Sequence, residues 1–323
     1  MRRLHELPVM LLAVSVASQV LLAGCGGERQ PWDTGFMAEL LAYARTHHKS
    51  PADYIVSKFD DHDVVFVGEV HRVKHDVELV QQLIPHLYEH GIHHLGTEFG
   101  RREDQPLIDS LIFSAQYDED LARRIVLQQY VFWGYQEYVD IYRAAWELNR
   151  TLPREGPRFR ILALNNSPDW SHVTSWEDRE DYKVMKKVWH GETEEDWARV
   201  ILDSVVARGG KILVYSGMHH AFTEYRQPVV IDGEFVRFGD LRMGNYVFDK
   251  IGKRAISVFL HGPWSSAQGY GEVLVRPADG MVDEAMARLE PDLLPIGFDT
   301  GGTPFGKLKG ETSFYSCGYE DFT

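Results

Sequence analysis

Val64-Val65-Phe66-Val67-Gly68-Glu69-Val70-His71-Arg72-Val73-Lys74-His75 is the stretch on which the reading of the fold turns. Four apolar residues, entered from Asp61 and Asp63, read as a short strand buried on both faces, as in a parallel sheet. Gly68 closes the run, and Glu69, His71 and His75 follow within seven positions. If the backbone stays extended past Gly68, side chains alternate with period two, so Glu69 and His71 share a side. His75 then falls one turn into the following helix, on the face that His71 begins. A carboxylate and two imidazoles leaving the carboxyl end of a buried strand is where open α/β sheets place their chemistry. The blander alternative is a polar loop carrying surface histidines.

The same punctuation recurs along the chain. His93 to Glu98 reads as a second strand, with Glu98 just before Gly100, and Phe159 to Leu164 as a third, followed by Asn165-Asn166. Lys211 to Tyr215 reads as a fourth, running into Ser216-Gly217-Met218-His219-His220, and Ala255 to Leu260 as a fifth, ended by His261. Between them lie helical patterns. Phe36 to Tyr43 and Ala52 to Phe59 are separated at Ser50-Pro51, because proline disfavours a helical residue before it. Val77, Val80, Leu83, Ile84 and Leu87 keep helical spacing, with a kink expected at Pro85. Asp104 to Arg150 is helical throughout, and its Tyr130, Trp133, Tyr135, Tyr138 and Tyr142 read mostly as core or pocket wall. A helix from Glu192 has an acidic first turn that suits the helix dipole, with Trp197, Val200, Ile201 and Val205 as its buried stripe. Val229 to Phe238 reads as a hairpin turning at Asp232-Gly233, and Pro291 to Thr323 as an irregular wrap.

Strands separated by helices predict an α/β fold: a mostly parallel central sheet with helices on both faces, plus a helical insertion at about 103–150 after the second strand. Right-handed crossovers would bring every strand's carboxyl end to one edge. That edge would then receive Glu69, His71, Glu98, Asn165, Asn166, His219, His220 and His261.

The start of the chain carries an address. Arg2 and Arg3 precede an apolar run from Leu7 to Leu22, the layout of a secretory signal peptide. The run ends Leu22-Ala23-Gly24-Cys25, which resembles a bacterial lipobox, with cleavage before Cys25 and lipidation of its thiol. Residues 1–24 are thus expected to be a signal peptide, 25–35 a tether and 36–323 a single α/β domain. The implied location is the bacterial cell envelope, with the membrane reached through the Cys25 lipid. A net charge of −14 over 323 residues makes nucleic acid and anionic membrane surfaces poor partners. Cys25 and Cys317 are the two cysteines, so a lipidated Cys25 leaves no intrachain disulfide and the fold must stand on its core.

Two carboxylates and two imidazoles at one sheet edge suit a divalent transition metal with an open position for water. His71 and His220 would be ligands, Glu98 a third ligand or the general base, and Glu69 the alternative base. The same set also works without metal, an imidazole acting as base and a carboxylate orienting it. His75 and His219 are candidates for supporting positions, and only one of His219 and His220 can face the site. His47-His48 and His93-His94 read as surface or satisfied core residues; His86 and His90, four apart, lack a nearby strand end.

Gly68-Glu69-Val70-His71 and Gly217-Met218-His219-His220 both read Gly-x-x-His. Together with Glu98 the pair resembles the superfamily of ChaN-like haem-binding lipoproteins, Tiki proteases and erythromycin esterases. Trp133-Gly134-Tyr135-Gln136-Glu137-Tyr138 before a helix, and a third strand ending in Asn165, also look ChaN-like. The likeness spans roughly Asp63 to Trp264 and implies Glu69, His71, Glu98 and His220 as a shared site. It departs at Ala221-Phe222-Thr223-Glu224-Tyr225, where ChaN-like chains usually carry a Gly-rich turn. Two functions follow from it. One is a lipid-anchored, metal-assisted hydrolase of ester or amide bonds in a small-molecule or peptide substrate. The other is a haem-binding lipoprotein of an iron-uptake system, although no Cys-x-x-Cys-His haem motif is present.

Overall fold

A computed structural model describes residues 34–129, 134–179, 181–191, 193–231, 234–265 and 274–309. Val64 to Glu69 form β1, preceded by α1 (Thr34–His47) and α2 (Pro51–Ser57) and followed by α3 (Lys74–Glu89). The break before α2 is a capped start: Pro51 opens the helix and the Ser50 hydroxyl accepts the Asp53 N–H. Next come β2 (His94–Arg101), α4 (Gln105–Ile112), α5 (Glu119–Gln129), α6 (Gln136–Thr151) and β3 (Arg160–Asn165). α7 (Tyr182–Val188) and α8 (Glu194–Ser204) lead to β4 (Ile212–Gly217). A hairpin of β5 (Pro228–Ile231) and β6 (Glu234–Phe238), then α9 (Met243–Ile251), precede β7 (Ala255–Phe259). The short pair β8 (Trp264–Ser265) and β9 (Leu274–Val275) and the helix α10 (Met281–Ala287) follow.

β1, β2, β3, β4 and β7 form one parallel sheet in the order β3-β2-β4-β1-β7. Every side chain of β1 is buried, and alternate residues serve two different cores. Val65, Val67, Ile161, Ala163, Leu213 and Tyr215 pack against α2 to α6. Val64, Phe66, Leu162, Leu164, Ile212 and Val214 pack against α8 and α9. A run without polar alternation is what such a strand requires, since both its faces are covered. The helices read as an insertion are the β2-to-β3 crossover itself, lying on the same side as α3. α3 continues through Pro85 to Glu89 as one helix. α10, which lies where the periodicity is weak, packs on α1 with Phe298 and Phe305 in a separate small core. The wrap is anchored where Lys49 and Gly297 exchange backbone hydrogen bonds. The signal peptide, Cys25, Tyr130, Trp133, the Asp232-Gly233 turn and Cys317 lie outside the described residues.

Strand order fixes where a site can form. From β1 and β2 the chain leaves by helices on one face, α3 and then α4 to α6; from β3 and β4 it leaves by α8 and α9 on the other. β4 lies between β1 and β2. Connections therefore part to opposite faces on both sides of β4, which opens a crevice beyond its carboxyl end.

Candidate active site

Register brings the predicted residues to that crevice. Glu69 is paired with Gly217, and Thr97 with Tyr215, so the last residues of β1, β2 and β4 end side by side. Pairing of β2 with β3 is regular to Thr97 and resumes only at Arg101. This irregularity falls on Glu98, a device that re-aims side chains beside sites. The Asn165 amide at the end of β3 donates to the Glu98 carbonyl at 3.1 Å and steadies the turn.

Glu69, fully buried, faces the α3–α6 side of the sheet. Its Oε1 accepts the Tyr138 hydroxyl at 2.6 Å and lies 2.8 Å from His71 Nδ1, while Tyr215 donates to Oε2. Tyr138 in turn accepts the Arg72 N–H at 3.1 Å, pinning the turn that carries His71. Burial, and then the Glu69 charge, hold both phenols protonated well above their ordinary range. They are donors to the carboxylate, not bases. His71 and Glu69 thus share a side, as the period-two reading required, and the His71 side chain remains 27% exposed.

His220 arrives from the opposite face, on the turn after β4. Its Nδ1 forms an ion pair with Glu194 Oε2 at 2.9 Å, and its ring lies 4.9 Å from the Trp197 ring. Burial works against its charge, yet Glu194 and then Glu98 raise its pKa to about 9. Burial would likewise raise Glu194, but His220, Arg242 and the Met243 N–H pull that carboxyl down to about 2. Around neutrality the pair is therefore an imidazolium and a carboxylate.

Glu98 stands between the two imidazoles. Its Oε1 lies 3.8 Å from His71 Nε2 and its Oε2 3.5 Å from His220 Nε2, and Oε2 accepts the Gly217 N–H at 2.9 Å. Gly217 is required by this convergence. A Cβ there would lie 2.5 Å from His71 Cε1 and 2.7 Å from Nε2.

All four predicted residues, Glu69, His71, Glu98 and His220, are thus brought together. His75 is not: it is 82% exposed and faces Asp76 at 3.5 Å. His219 points away toward Phe222, and burial, with the charges of His220 and Arg242, pushes its pKa down to about 2. His261 pairs with Asp283 at 3.3 Å instead of the site.

His71, Glu98 and His220, the expected metal set, line the crevice with Glu98 oxygens 3.8 Å from His71 Nε2 and 3.5 Å from His220 Nε2. Among the described residues no three His, Cys, Asp or Glu side chains are grouped to hold a metal ion.

Sequence reasoning missed Glu194, Asp76 and the two phenols on Glu69. Glu194 looked like a helix-dipole acid, and the Thr193-x-x-Asp196 capping box marks the start of α8 without pointing at His220. Asp76 is buried in the first turn of α3, where burial and then Glu69 push its pKa up to about 7. Nothing in the spacing distinguished it from an exposed first-turn acid.

Comparison with known proteins places part of the chain. Residues 55–186 match the family described as haem-binding uptake, Tiki superfamily, ChaN. That segment carries Glu69, His71, Glu98 and Tyr138; Glu194, Gly217 and His220 lie beyond it. No curated protein sequence matches the chain. Among solved structures, a Bacillus cereus protein is similar at 10% identity and TM-score 0.47, over 87% of this chain and 85% of that one. ChaN of Campylobacter jejuni, described with cofacial haem binding, is similar at 15% identity and TM-score 0.42, over 70% of this chain and 88% of that one. RRSP, a MARTX toxin effector domain from Vibrio vulnificus, is similar at 16% identity and TM-score 0.41, over 69% of this chain and 37% of that one.

Proposed function

We propose that the chain is a hydrolase of ester or amide bonds, held at the bacterial cell envelope by a lipid on Cys25, and that it works by imidazole–carboxylate acid–base chemistry. The observation that carries this reading is the pair of imidazoles on either side of Glu98, each with a further carboxylate at its Nδ1. His71 is oriented through Nδ1 by a buried carboxylate, the arrangement that readies Nε2 to accept a proton. His220 is held protonated and presents Nε2 to the same crevice, and its side chain is 24% exposed. One ring oriented by a buried carboxylate and one held protonated can serve as base and acid. A water would give its proton to His71 Nε2 as its oxygen bonds to the carbonyl carbon. His220 would donate from Nε2 to the leaving oxygen or nitrogen as that bond breaks, and the imidazolium charge would stabilise the oxyanion in between. Glu98, oriented by the Gly217 N–H, would hold both rings toward the reacting atoms.

A second reading, haem binding for iron uptake, is favoured by the family match over residues 55–186. Haem needs an axial donor and an apolar face. Tyr135 before α6 and Tyr182 at the start of α7, 49% and 73% exposed, offer phenols, and Trp176 offers an exposed ring. The two readings separate in one experiment on the mature protein. Hydrolysis of p-nitrophenyl acetate that falls on the order of 100-fold or more in His71→Asn supports the first. A stoichiometric Soret band on hemin addition, with hydrolysis no faster than in His71→Asn, supports the second and overturns the first.

A further inference from the structure

The carboxylate that fixes His220 comes from outside the matched segment. Glu194 is the first residue of α8, and its two oxygens are fully engaged. Oε2 takes the His220 ion pair at 2.9 Å and the Met243 N–H at 2.8 Å, and Oε1 accepts Arg242 Nη1 at 2.9 Å. Met243 N is the first helical amide of α9, so one carboxylate satisfies an orphan donor of that helix while gripping the imidazole. One turn further along α8, the Trp197 ring lies against His220 at 38° between planes. Its indole N–H donates to Asn166 Oδ1 at 3.2 Å, tying the same turn to the end of β3. The i and i+3 residues of a helix share a face, so a single turn supplies both a charge behind the ring and an aromatic surface beside it.

We infer that Glu194 is the positioning residue for His220, and that with Trp197 it makes the first turn of α8 a clasp holding that imidazole in the crevice, as Glu69 holds His71 from the other face. This rests on the hydrolase reading for its kinetic consequence but not for its geometry. Two carboxylate–imidazole dyads, one from each side of the sheet, then converge on Glu98. Glu69–His71 is fixed by phenols of β4 and α6, and Glu194–His220 by Arg242 and the α9 amide. An exposed helix-dipole acid would show none of these contacts; its neighbour Glu195, 46% exposed, pairs with Arg199 at 3.2 Å.

The groups that set the charge on His220 come from every element packed on it: Glu194 of α8, Glu98 of β2 and Arg242 before α9. His71, on the other side of Glu98, is the second imidazole of the crevice, and His219 of the same turn as His220 faces Phe222. Glu194→Gln keeps an oxygen for the Met243 N–H but removes the charge. In the mature protein it should abolish the downfield, slowly exchanging His220 Nδ1–H resonance. It should also move the alkaline limb of p-nitrophenyl acetate hydrolysis from about pH 9 toward the ordinary imidazole value near 6.5. The rate constant kcat should fall on the order of 100-fold with KM little changed, and Glu194→Asp should recover part of it. Trp197→Phe, which keeps a ring but drops the bond to Asn166, should lower kcat less and leave the limb near its place. Glu195→Gln should change neither. A Glu194→Gln protein that folds, yet keeps the Nδ1–H resonance and the alkaline limb, overturns the clasp. Should Glu194→Gln not fold, Glu194→Asp, which keeps the charge on a shorter stem, decides: a shifted or weakened resonance supports the clasp and an unchanged one overturns it. Unaltered hydrolysis in His71→Asn would sink the hydrolase reading instead, and the resonance would still report on Glu194.

Discussion

Gly217→Ala is the change that most directly probes the crevice. Gly217 has φ −55° and ψ 144°, a conformation alanine adopts freely, so the backbone is not strained by it. The added Cβ would meet His71 Cε1 at 2.5 Å and Nε2 at 2.7 Å, but stands 3.6 Å from Glu98 Oε2. Carbon contacts settle near 3.5–4.0 Å, so the imidazole must retreat by about 1 Å while the Gly217 N–H bond to Glu98 persists. Overpacking of this kind costs roughly 1–3 kcal/mol, and the loss of unfolded-state freedom from Gly to Ala returns roughly 0.4–1. The residual is about 1–2 kcal/mol, a melting shift on the order of 5 °C for a chain this long. Function should suffer far more, because a 1 Å misplacement of a reacting group costs on the order of 100-fold in rate. Gly244→Ala is the contrast. There the Cβ would lie 2.4 Å from the Phe222 carbonyl oxygen and 2.8 Å from its carbon, so backbone must move and stability should collapse. Thermal melts and kcat/KM on p-nitrophenyl acetate for both variants decide the matter. Gly217→Ala with wild-type kcat/KM would refute the placement of His71, and Gly217→Ala melting as low as Gly244→Ala would refute the claim that the contact is soft.

Three further outcomes are expected. The His220 pKa is raised in the fold, so its stabilisation is complete below about 6.5 and is lost as pH rises through about 9; the melting temperature should fall across that window and do so less in His220→Asn. Asp76 is also raised, to about 7, so its contribution is present below its unfolded value of 3.8 and lost as pH rises through 7; Asp76→Asn should melt above wild type at pH 8 and lose that advantage by pH 4. A Cys25→Ser precursor should take up no labelled palmitate and leave the detergent phase, and equal partitioning of the two proteins would remove the lipid anchor from the proposal.

The fold was legible where burial on both sides leaves a mark in composition. Val64 to Val67, Ile161 to Leu164 and Ile212 to Tyr215 are unbroken apolar runs because each residue meets a helix layer on one face or the other. Glu69, His71, Glu98 and His220 were legible for a related reason: a polar residue immediately after such a run stands at the strand's carboxyl end. What escaped was set by long-range packing. Asp76 and His75 are adjacent in the first turn of α3, and only the direction of the helix decides that the carboxylate is buried and the imidazole exposed. Tyr138 and Tyr215 are aromatic core residues by every local criterion, and their hydroxyls become functional because both reach one carboxylate from different elements. Spacing cannot reveal that His220 has a second carboxylate behind it.

The sheet order explains why two dyads, not one, meet at Glu98. A strand flanked on both sides by neighbours whose connections leave by the opposite face has a crevice at its carboxyl end open to both helix layers. From the α3–α6 layer comes a turn whose imidazole is backed by a carboxylate that three hydroxyl or ring donors stabilise. From the α8–α9 layer comes a ring backed by a carboxylate under two cations and a helix amide. The first carboxylate has neutral donors from two phenols, while the second carries its charge opposite an imidazolium and a guanidinium. One crevice thus receives two rings whose supports differ in kind, and the asymmetry originates in which layer each ring is drawn from. Removing one support from each carboxylate should therefore act on one ring at a time. Tyr138→Phe, which strips a neutral donor from Glu69, should act on His71 orientation and the acid limb of any rate profile. Arg242→Gln, which strips a cation from Glu194, should act on the alkaline limb alone.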